Sequence, residues 1–273
     1  MRIVYLGTSD FAAAVLRRLS ETEYRPVLVV SRPDSPRGRG RKLTPPPAVV
    51  AARQLGLETY QPGSVNDADA LARIAAAEPD ALVVCAFGAL IKEPLLSRYP
   101  ILNVHPSLLP RWRGAAPIER AILAGDAETG VSIMRLTEGL DSGPISLQQR
   151  VAIGADDDYG TLAARLQDVG GELLVRALDE QPPYTEQEEA GATYAEKLTA
   201  DDRLLDPAEP AEAQARRVRA LSPHIGAYLA QPDGSRLGVW KARAVGDELQ
   251  LLTVQPPGKR PMSWADYERG RRR

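Results

Sequence analysis

The chain has 273 residues, enough for one large domain or two modest ones with a substantial core. Its 34 basic and 36 acidic side chains leave a net charge of −2, which argues against holding a polyanion through bulk charge. One cysteine excludes a disulfide framework, two distant histidines speak against a zinc site, and no apolar run is long enough to span a bilayer.

Ile3-Val4-Tyr5-Leu6 reads as a buried strand ending at Gly7, and Thr8, Ser9 and Asp10 offer caps for a helix to about Leu19. Because the chain runs from Met1 straight into this strand, no signal or transit peptide is expected and the location expected is cytoplasmic. Val27–Val30 is a second strand, followed by a loop, Arg32 to Lys42, too rich in Pro, Gly and charge to be structured alone. Pro45 to Pro47 open a helix through Leu55, and Asn66 caps another, with Asp67 and Asp69 in its first turn. Ala81–Ala86 is wholly apolar, as a parallel strand covered on both faces should be, and Leu102–His105 is a short strand ending in polar groups. Pro117 starts a helix that Gly125 ends. This rhythm predicts an α/β, doubly wound, mostly parallel sheet, with ligands bound beyond the carboxyl ends of its strands.

From Val131 the pattern changes. Val131–Leu136 and Ile145–Ala152 are strands around a loop rich in Gly and Asp, and Thr161–Leu178 is an amphipathic helix. Pro182 to Thr193 is polar and acidic, which suits a linker or extended excursion. Glu209–Leu221 is a helix, and Ala227–Ala230, Leu237–Ala244 and Glu248–Val254 are strands of a small, mainly β second domain. The charge is divided: residues 201–273 hold 13 basic and 10 acidic side chains, net +3, against −5 for residues 1–200. Arg32 to Lys42 carries five basic residues against Asp34 alone.

Gly7 lacks the further glycines of a dinucleotide fingerprint, so it reads as a tight strand-to-helix turn. Asn103 and His105, two apart on a strand, point to the same side at its carboxyl end. An Asn amide can donate to a developing oxyanion and a neutral His can take a proton; the ordinary alternative is a histidine satisfied by a nearby carbonyl. Asp141, between Gly139 and Gly143, can orient His105 or merely form a turn. The Arg32–Lys42 loop suits phosphate contact, or is a solvated loop. Cys85, inside an apolar strand, is expected to be inert.

Together these pieces resemble the methionyl-tRNA formyltransferase family. The matching stretches are Gly7–Ala12, Arg32–Leu43, Asn103–Pro117, Gly125–Val131, Gly139–Gly143, Tyr194–Leu198 and Gln255–Met262, in family order along almost the whole chain. The Asn…His…Asp set is shared by several folate-dependent formyltransferases; the basic loop and the Arg111–Pro117 stretch are specific to the tRNA enzymes. The resemblance implies a Rossmann-like formyltransferase fold followed by an OB-like β-barrel domain, which this sequence makes small and shortened. It divides the chain into a catalytic domain, 1–190, a linker, 191–203, and a tRNA-binding domain, 204–273. The implied reaction moves the formyl group of 10-formyltetrahydrofolate to the α-amino group of methionyl initiator tRNA, with no metal. A monomer away from the membrane is expected separately, because no uncovered apolar face and no bilayer-long apolar run is evident.

By the same resemblance Asn103, His105 and Asp141 are catalytic. The folate lies against Phe87, Gly88, Leu90 and Ile91 and against Ser107, Leu108, Leu109 and Pro110. Phe11 lies near the methionine side chain. Arg32, Arg37, Arg39, Arg41 and Lys42 reach the acceptor-stem end of the tRNA, Arg39 above all. One departure from the family stands out: Leu237–Val245 is followed almost at once by Glu248–Leu252, where family members place extra strands, so either the barrel is pared down or a segment is missing there. The rival expectations are a formyltransferase acting on a sugar-nucleotide amine or purine precursor, and a non-catalytic RNA-binding module.

Overall fold

A computed structural model describes residues 1–37, 40 and 42–271; Gly38, Arg39 and Arg41 lie outside it, as does the side chain of Arg37. The chain divides into two compact units, each drawn from three stretches: Met1–Ala115, Gly130–Val151 and Ala164–Tyr194; and Ala116–Thr129, Ala152–Ala163 and Ala195–Arg273.

The first unit is built on a seven-stranded sheet. Its strands are β1 (Ile3–Gly7), β2 (Leu28–Val30), β5 (Thr59–Tyr60), β6 (Ala81–Cys85), β7 (Ile101–His105), β9 (Glu128–Arg135) and β10 (Ile145–Ala152). A hairpin of β3 (Ser35–Arg37) and β4 (Lys42–Thr44) follows β2, and β8 (Arg113–Gly114) follows β7. The sheet order is β10-β9-β7-β6-β1-β2-β5, parallel from β5 to β7 and antiparallel where β9 meets β7. β1, β2 and β6 are buried along their length, as their apolar runs required, and β7 is buried too, its Asn103 and His105 included. The helices are α1 (Asp10–Ser20), α2 (Pro47–Gln54), α3 (Ala68–Ala76), the single turn α4 (Leu95–Arg98) and, after α5 (Pro117–Ala124), the long α6 (Tyr159–Glu180). Ser9 caps α1, its hydroxyl accepting from Ala12 N–H at 3.3 Å, and Phe11, Val15, Leu16 and Leu19 form the buried face. A Cβ on Gly7 would stand 2.6 Å from the Tyr5 ring and 2.8 Å from Ala12 Cβ, so glycine is what lets α1 fold back this closely.

Two local expectations changed. The flanks of the basic loop are paired strands: Ser35, Pro36 and Arg37 pair with Thr44, Leu43 and Lys42 in an antiparallel ladder. Asn66 does not cap α3, which starts at Ala68 without a side-chain cap. Its amide instead donates to Leu90 O at 2.9 Å and accepts from Lys92 N–H at 2.9 Å, a long-range use that outweighs a local cap.

In the second unit α5 begins at Pro117 and ends at Gly125, whose φ of 74° is the left-handed closure glycine favours. After β11 (Tyr194–Ala195), α7 (Ala211–Leu221) packs on an antiparallel sheet, β12 (Ala227–Ala230), β13 (Arg236–Val245), β14 (Glu248–Gln255) and β15 (Met262–Ser263), and α8 (Trp264–Arg271) follows. β13 and β14 join through the two-residue turn Gly246-Asp247, with Val245 opposite Glu248 and Gly246 at φ 59°. The shortening read in the sequence is thus a tight hairpin. The four strands form a meander in the order β12-β13-β14-β15 around a core of Leu205, Val218, Leu221, Leu237, Val239 and Val254.

Asp202 shows how this unit holds its irregular stretch. Arg120 donates to both its oxygens, at 2.7 and 3.3 Å, and Thr199 donates through N–H and hydroxyl at 2.7 and 3.1 Å. Burial alone would raise this carboxyl's pKa; the Arg120 and Thr199 hydrogen bonds outweigh it and hold the pKa below its ordinary value. A depressed carboxyl stabilises the fold above its unfolded pKa and loses that contribution as the pH falls through the folded one. Asp202→Asn should therefore cost about 2 kcal/mol near pH 7. In thermal melts run from pH 7 downward the deficit should shrink in acid; a constant deficit would refute the pairing as its source.

Candidate active site

The parallel strands bring several loops to one edge. Register pairs Gly7 with Cys85, Leu6 with Val30 and Cys85 with Val104, so the segments after β1, β2, β6 and β7 all leave at the carboxyl end. Asn103 and His105 stand on the last three residues of β7, 7% and 4% exposed. As the strand alternation predicted, both face the same partner, the carboxylate of Asp141.

Asn103 Nδ2 lies 3.4 Å from Asp141 Oδ1, His105 Nδ1 lies 3.6 Å from Asp141 Oδ2, and Gly114 N–H donates to that same Oδ2 at 2.8 Å. His105 Nε2 faces the carbonyl oxygen of Trp112 at 2.8 Å. A carbonyl only accepts, so Nε2 carries a hydrogen and Nδ1 is the nitrogen left to take a proton. A proton gained there faces the Asp141 carboxylate. The Asn103 amide has a second hydrogen to offer an incoming oxygen. The set can therefore stabilise new negative charge on an oxygen and accept a proton from a nucleophile beside it. It offers no covalent nucleophile: Cys85 is fully buried in β6, and burial pushes its thiol up to about 12. Among the described residues, no three His, Cys, Asp or Glu side chains form a metal-binding group.

The family model described as "Formyl transferase" matches residues 1–178. The methionyl-tRNA formyltransferase of Halorhodospira halophila is 43% identical, covering 99% of this chain and 96% of the relative. That of Pseudomonas paraeruginosa is 40% identical over 100% of this chain and 96% of its own. The chain belongs to the methionyl-tRNA formyltransferase family. Its fold is also that of the Clostridium thermocellum methionyl-tRNA formyltransferase, with a TM-score of 0.68, 14% identity and coverage of 94% of this chain and 98% of that one. A likely sugar N-formyltransferase from Mycobacterium tuberculosis shares it too, at a TM-score of 0.66, 24% identity and coverage of 89% and 97%.

Around the three polar residues, the stretches assigned by family resemblance divide into anchors and free surface. Phe87 and Ile91 are core residues, 4% and 5% exposed, while Leu90 is 65% exposed and Gly88 turns the chain at φ 73°. Thr8 Oγ1 donates to Phe87 O at 2.7 Å, fixing this loop next to the β1–α1 turn. Ser107 and Leu109 are also buried. Ser132 Oγ donates to Ser107 O at 2.6 Å and accepts from Leu109 N–H at 3.1 Å, and Gln148 donates to Leu109 O at 2.8 Å. Pro106, Leu108 and Pro110 are half-exposed. Leu109 and Pro110 line one wall of a cleft of about 420 Å³ that also includes Ser146, Gln148, Thr185 and Gln187.

Arg32 and Lys42 are exposed, and the Arg32 side chain passes beside Gly88, at the same sheet edge. Phe11 is 5% exposed and lies against Gly170 of α6, on the core side of α1. Sequence reasoning missed the groups that hold the site: Trp112 at φ 63°, Arg113, 2% exposed, and Gln187. The signal for Trp112 is absent locally, since an aromatic residue is a poor choice for positive φ. For Gln187 the only hint was a polar excursion without periodicity.

Proposed function

We propose that this chain transfers the formyl group of 10-formyltetrahydrofolate to the α-amino group of methionyl initiator tRNA. The observation that carries the reading is the convergence of Asn103 and His105 on the one carboxylate of Asp141, at 3.4 and 3.6 Å. Asn103 donates its free amide hydrogen to the formyl oxygen as that oxygen gains charge. His105 Nδ1 takes the proton that the amine sheds as its new bond to the formyl carbon forms. Asp141 orients the ring and stabilises the resulting imidazolium. The bond between the formyl carbon and the folate nitrogen breaks, and that nitrogen regains a proton. No covalent enzyme intermediate is required, because an ordinary α-amino group already titrates at about 7.7–8.0.

The exposed Leu90, Gly88 and the half-exposed Leu108 and Pro110 are apolar and backbone surface of the kind a flat pterin takes. Phe11 is the residue assigned to the methionine side chain. Arg32, Arg37, Arg39, Arg41 and Lys42 are assigned to the tRNA acceptor end. Residues 204–273 form the tRNA-binding domain of this reading, behind the linker 191–203; exposed Lys241, Arg243, Lys259 and Arg260 support that assignment. No helix among the described residues is long and apolar enough to cross a membrane, and the reading takes the enzyme as a cytoplasmic monomer.

One assay tests the proposal. The formyl donor is incubated with methionyl initiator tRNA, methionyl elongator tRNA, or no acceptor. Formylation confined to the initiator is the expected result. Equal formylation of both tRNAs, or donor breakdown without an acceptor, would refute it.

A further inference from the structure

The stretch from Thr185 to Thr193 contains no helix and only one isolated bridge, to Ile145, yet it hydrogen-bonds both loops of the site. Gln187 Nε2 donates to Asp141 O at 2.8 Å and to Gly143 O at 2.7 Å. Its Oε1 accepts from Arg113 Nε at 3.1 Å, and Arg113 Nη1 donates to Glu189 at 2.9 Å. Both amide hydrogens and the amide oxygen are engaged, so the orientation of the Gln187 amide is determined by its partners. Thr193 serves the other loop. Its hydroxyl accepts from Trp112 N–H at 2.9 Å and its carbonyl from Arg113 N–H at 2.9 Å, beside the Trp112 carbonyl that faces His105.

The need for such a hold is visible in the backbone. Asp141 has φ 45°, a left-handed conformation that a residue with a Cβ disfavours, though Asp less than most. It persists only where surrounding contacts over-determine it. If the turn relaxed, the carboxylate would lose its aim at Gly114 N–H, Asn103 and His105 together.

We propose that Gln187 is a positioning residue for formyl transfer: by gripping the carbonyls of Asp141 and Gly143 it fixes the left-handed turn that aims the Asp141 carboxylate. This rests on the formyl-transfer reading above. Gln187→Glu leaves the acceptor for Arg113 in place and disturbs only the grip on the Asp141 turn, so the effect of that change must vanish when the Asp141 carboxylate is gone.

The test is a double-mutant cycle on the full chain, with Gln187→Ala and Gln187→Glu, each alone and combined with Asp141→Asn. Gln187→Glu keeps the length and the acceptor for Arg113, but replaces the two donated hydrogens by an oxygen that repels both carbonyls. Each single change should lower kcat about tenfold or more, with KM for donor and acceptor within about twofold. In the Asp141→Asn background the same change should cost less than about twofold. Unchanged kcat in the single variants, or the full loss repeated in the double variants, overturns the proposal. Where Gln187→Ala does not fold, Gln187→Glu decides alone. Wild-type transfer is measured first. If methionyl initiator tRNA is not formylated, the acceptor reading has failed, and the cycle still judges Gln187 on whichever amine acceptor turns over.

Discussion

Asp141→Asn should lower kcat for formyl transfer by about 10³-fold while the protein stays folded. The substitution keeps the side chain's shape and its acceptor for the Gly114 N–H, which donates at 2.8 Å in the wild type. It removes the charge that His105 Nδ1 faces at 3.6 Å, and with it the stabilisation of the protonated ring. Keeping the acceptor for Gly114 N–H puts the new amide NH₂ where Oδ1 stood, 3.4 Å from Asn103 Nδ2, so donor meets donor. These losses fall on the transition state, where the proton moves and the oxygen gains charge, so KM for either substrate should stay within about threefold. Steady-state rates with methionyl initiator tRNA, alongside the melting temperature of the variant, measure both halves. A folded variant with kcat within about threefold of wild type would remove Asp141 from the mechanism.

Gly143→Ala should damage stability and catalysis together. A Cβ at this position would lie 2.0 Å from the Arg135 carbonyl oxygen and 3.0 Å from Thr137 Cγ2. Arg135 ends β9, where its N–H already donates to Pro144 O at 2.9 Å, so that backbone has little freedom to move aside. The loop must shift instead. That breaks the Gln187 donation to Gly143 O and carries the Asp141 carboxylate away from its partners. We expect a loss of about 3 kcal/mol and a melting temperature lower by about 5 °C or more. Because misplacement by about 1 Å can cost 10²-fold, kcat should fall by about that factor. Calorimetry and kinetics on one preparation check the coupling. A variant that melts early but keeps its kcat would show that the loop tolerates the shift.

The two substitutions differ in what could have been foreseen. Asp141 was legible because a loop of Gly, Asp and Gly after a strand carries its own local signal, and because the family resemblance gathers it with Asn103 and His105. That Gly143 has no room for a Cβ depends on Arg135 and Thr137, and no pattern in the loop itself announces it.

The same division runs through the molecule. The amino-acid sequence by itself determined what depends on near neighbours. The apolar runs marked the buried strands, the Thr8–Asp10 cap cluster and Gly125 marked helix ends, and the two-residue spacing put Asn103 and His105 on one side of β7. It also showed where the second domain departs from its family, since Gly246 and Asp247 are all that stands between two strand-like runs. Only the tertiary structure decided what depends on groups far apart along the chain. The hold of Gln187 on Asp141 spans 46 residues, and its contact with Arg113 spans 74. Asn66 abandons a cap for a loop 24 residues away. Trp112 takes a left-handed backbone that its own side chain disfavours, and there its carbonyl meets His105. Hydrophobic periodicity is a record of which side a residue buries. A single amide that secures a distant turn leaves no such record, because its partners are backbone groups that every residue has.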